Sequence, residues 1–138
     1  MWRAGHSDIH GRRLLNEAEI AAIASEQGFE IIRSEALPFE TQVALFSEAS
    51  VIAGPHGAGF VNMVFAPRGA RVIEMIGPCF NRNQLPASRC YVNIASILGQ
   101  DFVRIVGRSD ENDPIFMDHE PHETYTVDPN EFRRAIRI

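Results

Sequence analysis

The sequence predicts an α/β fold in which a parallel β-sheet is covered by helices on both faces. Segments with strand character alternate with segments of helical periodicity along the chain. The predicted strands are short, and they are apolar on both faces rather than on one. Strands of this kind are typical of a sheet buried between two layers of helices.

The first part of the chain supplies a helix, a strand and a second helix. Asn16 followed by Glu19 has the form of a helical N-cap whose partner lies at the third helical position. Gly28 is typical of a helix end, and Pro38 of a helix start. The predicted elements are a helix over 17–27, a strand over 29–33 and a helix that begins at Pro38.

The alternation continues to the end of the chain. The predicted strands cover 50–53, 71–76 and 101–106. The predicted helices cover 60–65, 91–98 and a last segment that Asp128 and Pro129 begin and that ends near Ile138. Residues 79–87 and 107–124 have no regular period and are predicted to be loops.

The start of the chain offers only Met1 to Arg3 as the stub of a strand. Because the first strand of a doubly wound sheet is often central, its loss would be costly. We therefore expect that the chain was cut from a longer protein, with part of its N-terminal strand missing, or that its start was misassigned. At 138 residues the chain has the length of one domain, and residues 1–138 are assigned to one.

Composition narrows the range of partners. The formal net charge of −5 argues against general attraction to nucleic acid or anionic lipid, so a phosphate group must be bound locally. No apolar run approaches the roughly 20 residues of a membrane span, and no signal peptide is recognisable, which predicts a cytoplasmic location. Cys79 and Cys90 lack metal-site spacing and are expected to be free thiols.

The glycine-rich turn Gly54-Pro55-His56-Gly57-Ala58-Gly59 is the strongest candidate site. It lies between a strand and a helix, where unpaired N–H groups and a partial positive charge favour an anion. His56 can donate to a phosphate oxygen or stabilise a leaving group, and Gly57→Val is expected to block the turn. The alternative is a tight structural turn, since this spacing is neither the dinucleotide-binding fingerprint nor a Walker sequence.

Glu74 interrupts the apolar strand over 71–76 and is the second candidate. A carboxylate at the end of such a strand can accept hydrogen bonds from ribose hydroxyls, although a solvated edge position is the alternative. Arg12 and Arg13 can neutralise a diphosphate or form a solvated basic pair. Gln42 and Asn62 are candidates for the same crevice or for capping and packing roles.

Two other kinds of site are weighed and set aside. A hydrolase oxyanion hole lacks its Gly-x-Ser-x-Gly nucleophile turn here. The segment 118–122 contains His119 and His122, but Pro121 breaks the helix that would bring both imidazoles onto one face. No metal is therefore expected.

Four motifs in order make the chain resemble the family 61 glycosyltransferases, which include capsular-polysaccharide enzymes, plant xylosyltransferases and animal O-linked N-acetylglucosaminyltransferases. The motifs are RRLLNE at 12–17, LPFETQVALF at 37–46, ASVIAGPHGAGFVN at 49–62 and VIE at 72–74. The resemblance extends from residue 6 to about residue 107.

The resemblance implies the C-terminal, donor-binding half of an inverting GT-B enzyme, whose two Rossmann-like domains face each other across a cleft. It implies a nucleotide-sugar donor, UDP-linked, a glycan or polysaccharide acceptor, and no metal. The residues that it assigns to the donor are Arg12 or Arg13 and the turn 56–59 for the diphosphate, Glu74 for the ribose, and Gln42 and Asn62 for the crevice.

The resemblance also limits what this chain can do. The acceptor domain is missing, so the chain by itself is expected to bind a nucleotide weakly and to transfer nothing. The alternative is a non-catalytic remnant that acts as a nucleotide-binding or protein-interaction module. Self-association, giving a homo-oligomer, is a further possibility for an incomplete fold.

Overall fold

The computed structural model describes residues 2–3, 13–78, 81, 86–109 and 124–137. Its strands are β1 (Trp2–Arg3), β2 (Arg13–Leu14), β3 (Ile31–Ile32), β4 (Val51–Pro55), β5 (Arg71–Ile76), β6 (Asp101–Val106), β7 (Arg108–Ser109) and β8 (Thr124–Thr126). Its α-helices are α1 (Glu17–Glu26), α2 (Phe39–Ser47), α3 (Pro86–Leu98) and α4 (Pro129–Ala135), and its 3₁₀ helices are Ser34–Ala36 and Ala58–Phe65.

Five strands form one sheet in the spatial order β3-β1-β4-β5-β6, and each strand pairs in parallel with its neighbour. Counted along the chain, this is the doubly wound order 2-1-3-4-5. Trp2 and Arg3 therefore form an interior strand of the sheet, between β3 and β4, whereas the central strand is β4. In such sheets ligands bind beyond the carboxyl ends of the strands where the winding reverses. That point here lies between β1 and β4.

Helices cover both faces of this sheet, as predicted. On one face α1 and α4 pack on alternate residues of β4, β5 and β6, including Ala53, Ile73 and Ile105. On the other face α2, α3 and the 3₁₀ helix Ala58–Phe65 pack on the intervening residues, including Ile52 and Val72. Because strand side chains alternate between faces, two separate cores form from one set of strands.

The predicted elements agree with the structure where the period is long enough to recognise. The strands over 71–76 and 101–106 and the helix over 17–27 are confirmed, and the strand over 50–53 extends to Pro55. The last helix is confirmed, with the Asp128 side chain accepting from the Asn130 N–H at 2.8 Å. The helix predicted over 91–98 begins earlier, at Pro86.

Two predictions about connecting segments need correction. The segment 107–124 was predicted to be a loop, yet its ends contribute β7 and the start of β8, which join β2 in a separate three-stranded sheet. Strands of two or three residues are too short to produce a recognisable alternation. The strand predicted over 29–33 is only two residues long, and a 3₁₀ helix follows it.

Asn16 does not cap α1 in the predicted way. Its side-chain amide donates to the Val127 carbonyl at 2.9 Å and accepts from the Val127 N–H at 3.1 Å. The Asn16 side chain also donates to the Glu19 carboxylate at 3.1 Å, but it accepts no capping hydrogen bond from a backbone N–H of the first helical turn. A pattern typical of a cap therefore joins two segments that lie 111 residues apart.

Gly107 lies where β6 passes close to β8, and its replacement with alanine is expected to destabilise the protein. A Cβ there would lie 2.5 Å from the Thr126 carbonyl oxygen and from the Tyr125 ring. Overpacking of this kind costs about 1–3 kcal/mol, and contact with backbone favours the upper part of that range.

Urea denaturation of Gly107→Ala measures this cost. Gly69→Ala is the comparison, because nothing lies within 4 Å of its Cβ and only the φ of +82° opposes the change, at about 1 kcal/mol. An equal loss of unfolding free energy in the two variants would contradict the close approach at Gly107.

Candidate functional site

The glycine-rich turn lies at the carboxyl end of β4, beside the point where the winding of the sheet reverses. Strand β4 is buried along its whole length, and the His56 N–H donates to the Met75 carbonyl at 2.8 Å, which holds the turn against β5. The 3₁₀ helix begins at Ala58. The turn is therefore placed in the crevice in which doubly wound sheets bind ligands.

Three successive N–H groups, those of residues 57–59, precede the first hydrogen bond of this helix, which joins the Phe60 N–H to the Gly57 carbonyl at 2.9 Å. Within the part of the chain that the structure describes, these three groups have no hydrogen-bond partner. Such groups at a helix start form a site for an anion.

The backbone angles at position 57 do not require a glycine. Its φ of 171° and ψ of 169° are extended values that any residue adopts. The prediction that valine at this position would block the turn therefore has no basis in the backbone conformation.

His56 and Glu74, which the sequence analysis proposed separately, are in contact. The register of β4 and β5 sets Gly54 beside Glu74, and His56 is the first residue after β4. The His56 Nδ1 lies 2.5 Å from the Glu74 Oε1. The Glu74 side chain is 0% exposed and the His56 side chain is 8% exposed, so only an edge of the imidazole reaches the surface.

Arg104 completes the group from β6, whose register sets it directly beside Glu74. Its Nε and Nη2 both lie 2.7 Å from the Glu74 Oε2. The same guanidinium donates to the Ser88 carbonyl at the start of α3. It also donates to the Asn81 Oδ1 at 3.4 Å. The carboxylate of Glu74 is thus held on one oxygen by an imidazole and on the other by a guanidinium.

Tyr91 fixes the turn to α3. Its hydroxyl donates to the Gly57 carbonyl at 2.8 Å. Its ring lies 5.2 Å from the imidazole of His56 and 5.4 Å from the ring of Phe60, measured between centroids. The position of the turn is therefore set by two strands and a helix together.

Gln42 and Asn62 are also brought together. The Asn62 amide donates to the Gln42 Oε1 at 2.6 Å, and the Gln42 amide donates to the Leu37 carbonyl at 2.9 Å. Asn62 is buried and Gln42 is half-buried. The pair links α2 to the 3₁₀ helix that follows the turn, and its contact with a ligand remains a prediction.

The two predicted arginines are placed differently. Arg13 is exposed at the start of β2, where it pairs with Thr124 in the small sheet. Arg12 lies outside the described residues. So do His119, Pro121 and His122 of the segment weighed as a metal site. Among the described residues, no group of three or more His, Cys, Asp or Glu side chains is placed to hold a metal ion.

Arg104 and Tyr91 are the site residues that the sequence analysis missed. Arg104 interrupts the apolar strand β6 as Glu74 interrupts β5, and two opposite charges in two neighbouring apolar strands are a recognisable signal. These charges predict an ion pair only when the register between β5 and β6 is known, since a shift of one residue would place the two side chains on opposite faces of the sheet. Tyr91 was recognised only as an apolar member of a helix.

Other surface features lie apart from this site. An open groove of about 440 Å³ is lined by the end of α1, the end of α2 and Ser50 and Val51 at the amino end of β4. It is therefore at the opposite end of the sheet from the turn. No helix in the described ranges is both long enough and apolar enough to span a bilayer.

Cys90, half-buried on α3, offers a chemical test of the electrostatics near the site. Burial raises the pKa of the Cys90 thiol, and the negative charge of Glu74 raises it further. Because the thiolate is the reactive form, a raised pKa lowers reactivity at a given pH and moves it to higher pH.

In a Cys79→Ser background, we expect iodoacetamide to alkylate Cys90 more slowly at mildly alkaline pH than it alkylates the same chain in urea. Glu74→Gln should increase the rate by removing the second cause. A native rate equal to the rate in urea would contradict the assigned environment of the thiol.

Comparison with known proteins yields one family. Residues 3–73 match the Glycosyltransferase 61 family. A beta-1,2-xylosyltransferase of Oryza sativa subsp. japonica is 39% identical over 66 residues, which is 47% of this chain and 12% of that protein. The protein O-linked-mannose beta-1,4-N-acetylglucosaminyltransferase 2 of Danio rerio is 31% identical over 113 residues, 78% of this chain and 19% of that protein.

A third relative is the EGF domain-specific O-linked N-acetylglucosamine transferase of Drosophila melanogaster, which is 31% identical over 91 residues. These residues are 64% of this chain and 16% of that protein. The chain thus matches less than a fifth of the length of each of these relatives.

Proposed function

Because this chain belongs to the glycosyltransferase 61 family, we propose that it forms the donor-binding part of an enzyme that transfers a sugar from a nucleotide to a glycan. The relatives are named for xylosyl and N-acetylglucosaminyl transfer. We propose that the nucleotide is UDP. We also propose that the chain corresponds to the C-terminal domain of a GT-B enzyme. The acceptor and its general base belong to the remainder of such an enzyme.

The observation that carries the proposal is the turn 54–59 with the three N–H groups of residues 57–59 at the carboxyl end of β4. A diphosphate is the part of a nucleotide sugar that such groups bind best, because they supply donors and a partial positive charge without a basic patch. This agrees with a chain whose formal net charge is −5.

In the proposed reaction the bond between the anomeric carbon and the diphosphate breaks, and negative charge develops on the leaving oxygen. The N–H groups of the turn stabilise that charge, as donors do in an oxyanion hole. The acceptor hydroxyl attacks from the opposite face, which inverts the anomeric centre, and gives its proton to a base outside this chain. A metal ion is not needed in this scheme.

Glu74 takes a different role in the proposal from the ribose contact that the resemblance implies. Its side chain is 0% exposed, and its two oxygens already accept from His56 and Arg104. It orients the imidazole through Nδ1, so that Nε2 is the ring nitrogen directed to the diphosphate.

The proposal is tested by titrating UDP, GDP and ADP into the chain while recording amide shifts by NMR. We expect UDP at millimolar concentration to shift the amides of residues 56–59. His56→Ala should weaken the binding about tenfold, because a hydrogen bond to a charged group contributes about 1.5–3 kcal/mol.

Glu30→Ala, a change at an exposed position outside the turn, should leave the UDP affinity unaltered. If no nucleotide moves any amide, the donor-binding proposal fails. The chain is then better described as a non-catalytic module that binds a protein partner.

A further inference from the structure

Arg104 is the strongest feature of the structure that the proposed function does not use. It lies on β6, one strand further from the turn than Glu74, and its side chain is 21% exposed. Its guanidinium contacts the Glu74 Oε2, the Ser88 carbonyl and the Asn81 Oδ1, and lies 5.7 Å from the centroid of the Phe102 ring. These contacts leave it directed at Glu74 rather than at the crevice.

A carboxyl group with no exposed surface is neutral unless a partner stabilises its charge. Arginine is the suitable partner, because its guanidinium remains protonated in proteins. With Arg104 donating to Oε2, Glu74 is kept as a carboxylate, and a carboxylate can only accept hydrogen bonds. The proton between His56 and Glu74 therefore belongs to the imidazole, on Nδ1.

We infer that Arg104 is a positioning residue that acts through Glu74: its charge keeps the Glu74 carboxylate ionised and thereby fixes a proton on the Nδ1 of His56. The ring nitrogen that meets the ligand is then always Nε2. This role in donor binding rests on the proposed function. The placement of the proton does not, since it follows from three side chains in contact.

The groups given around the imidazole agree with this assignment. On α3 the Tyr91 ring lies 5.2 Å from the imidazole, measured between centroids, and supplies an aromatic contact. The imidazole contacts the charged side chain of Glu74, and Glu74 in turn contacts Arg104.

Nitrogen NMR of the imidazole tests the inference on the 138-residue chain without a nucleotide. The resonances of His56 are assigned by their absence in His56→Gln. In the natural sequence we expect a protonated Nδ1 at neutral pH, and a His56 protonated on Nε2 alone would overturn the inference at once.

Two variants separate charge from hydrogen bonding. Arg104→Gln can still donate a hydrogen bond but has no charge, so Glu74 can take up a proton and donate it to Nδ1, or His56 can take up a second proton. Either change alters the nitrogen resonances of His56 relative to the natural sequence. Arg104→Lys keeps the charge and should restore them. An unaltered pattern in Arg104→Gln would overturn the inference.

Arg71→Met is the matched control. Arg71 and Asp101 form an ion pair at 2.6 Å between the same two strands, β5 and β6, but at their amino ends. Its removal should lower stability without changing the His56 resonances. In UDP titrations, we expect Arg104→Gln, and not Arg104→Lys or Arg71→Met, to bind UDP about tenfold more weakly than the natural sequence. If Arg104→Gln binds UDP as tightly as the natural sequence while its His56 resonances are altered, Arg104 has only a structural role, and its part in donor binding is overturned.

Discussion

Replacing Glu74 with alanine is expected to lower the free energy of unfolding by about 3 kcal/mol. The change leaves the guanidinium of Arg104 without the carboxylate that both Nε and Nη2 contact at 2.7 Å. It also opens a cavity at a position whose side chain is 0% exposed.

Removal of one member of a buried ion pair costs about 3–5 kcal/mol when the other charge stays buried. The lower end applies here because the side chain of Arg104 is 21% exposed and can gain water. For a chain of this length the loss corresponds to a fall of roughly 10 °C in Tm. Urea and thermal denaturation followed by circular dichroism measure both quantities.

Glu74→Gln and Glu30→Ala are the controls for this loss. The glutamine keeps the volume and one acceptor for Arg104, so its cost should lie between those of the alanine variant and the natural protein. Glu30 is exposed and its replacement should change stability by less than about 0.5 kcal/mol. A loss in Glu74→Ala as small as that in Glu30→Ala would contradict the buried ion pair.

Replacing Ala58 with proline is expected to weaken UDP binding between ten- and a hundredfold while the fold is kept. Proline is tolerated at the first position of a helix, where its missing N–H has no intrahelical partner, and Ala58 is the first residue of the 3₁₀ helix. The residue before it, Gly57, already has the extended backbone that a following proline requires.

The substitution therefore removes one of the three N–H groups of the turn and little else. A hydrogen bond to a charged oxygen contributes about 1.5–3 kcal/mol, and each 1.4 kcal/mol is tenfold in Kd. Ala58→Ser, which keeps the N–H at the same exposed position, is the matched variant. Equal UDP affinities for the proline and serine variants, measured by calorimetry, would exclude this N–H group from the binding site.

The expected effects differ in what they report. Glu74→Ala measures how strongly the carboxylate ties β5 to β6, and it needs no ligand. Ala58→Pro measures the donors that face the crevice, and it should leave stability nearly unchanged. A result that reversed these two outcomes would relocate the anion site from the turn to the buried charged group.

The sequence by itself determined the class of fold and the position of the turn. Strands such as β5 and β6 are mainly apolar runs, and the Gly28 and Pro38 boundaries are local signals, so both are readable without tertiary contacts. The same local information singled out His56 in the turn and Glu74 as a charge in an apolar strand. The ordered motifs then led to the family that the comparisons establish.

The tertiary structure alone decided what those residues contact. His56, Glu74 and Arg104 are 18 and 30 residues apart in the chain, and only the register of three parallel strands makes them neighbours. Asn16 has the local sequence of a helix cap but bonds to Val127 instead, because a distant backbone segment offers both a donor and an acceptor. Local patterns specify elements, whereas the partner of a buried polar group depends on how those elements align, since each such group must be paired when water is excluded.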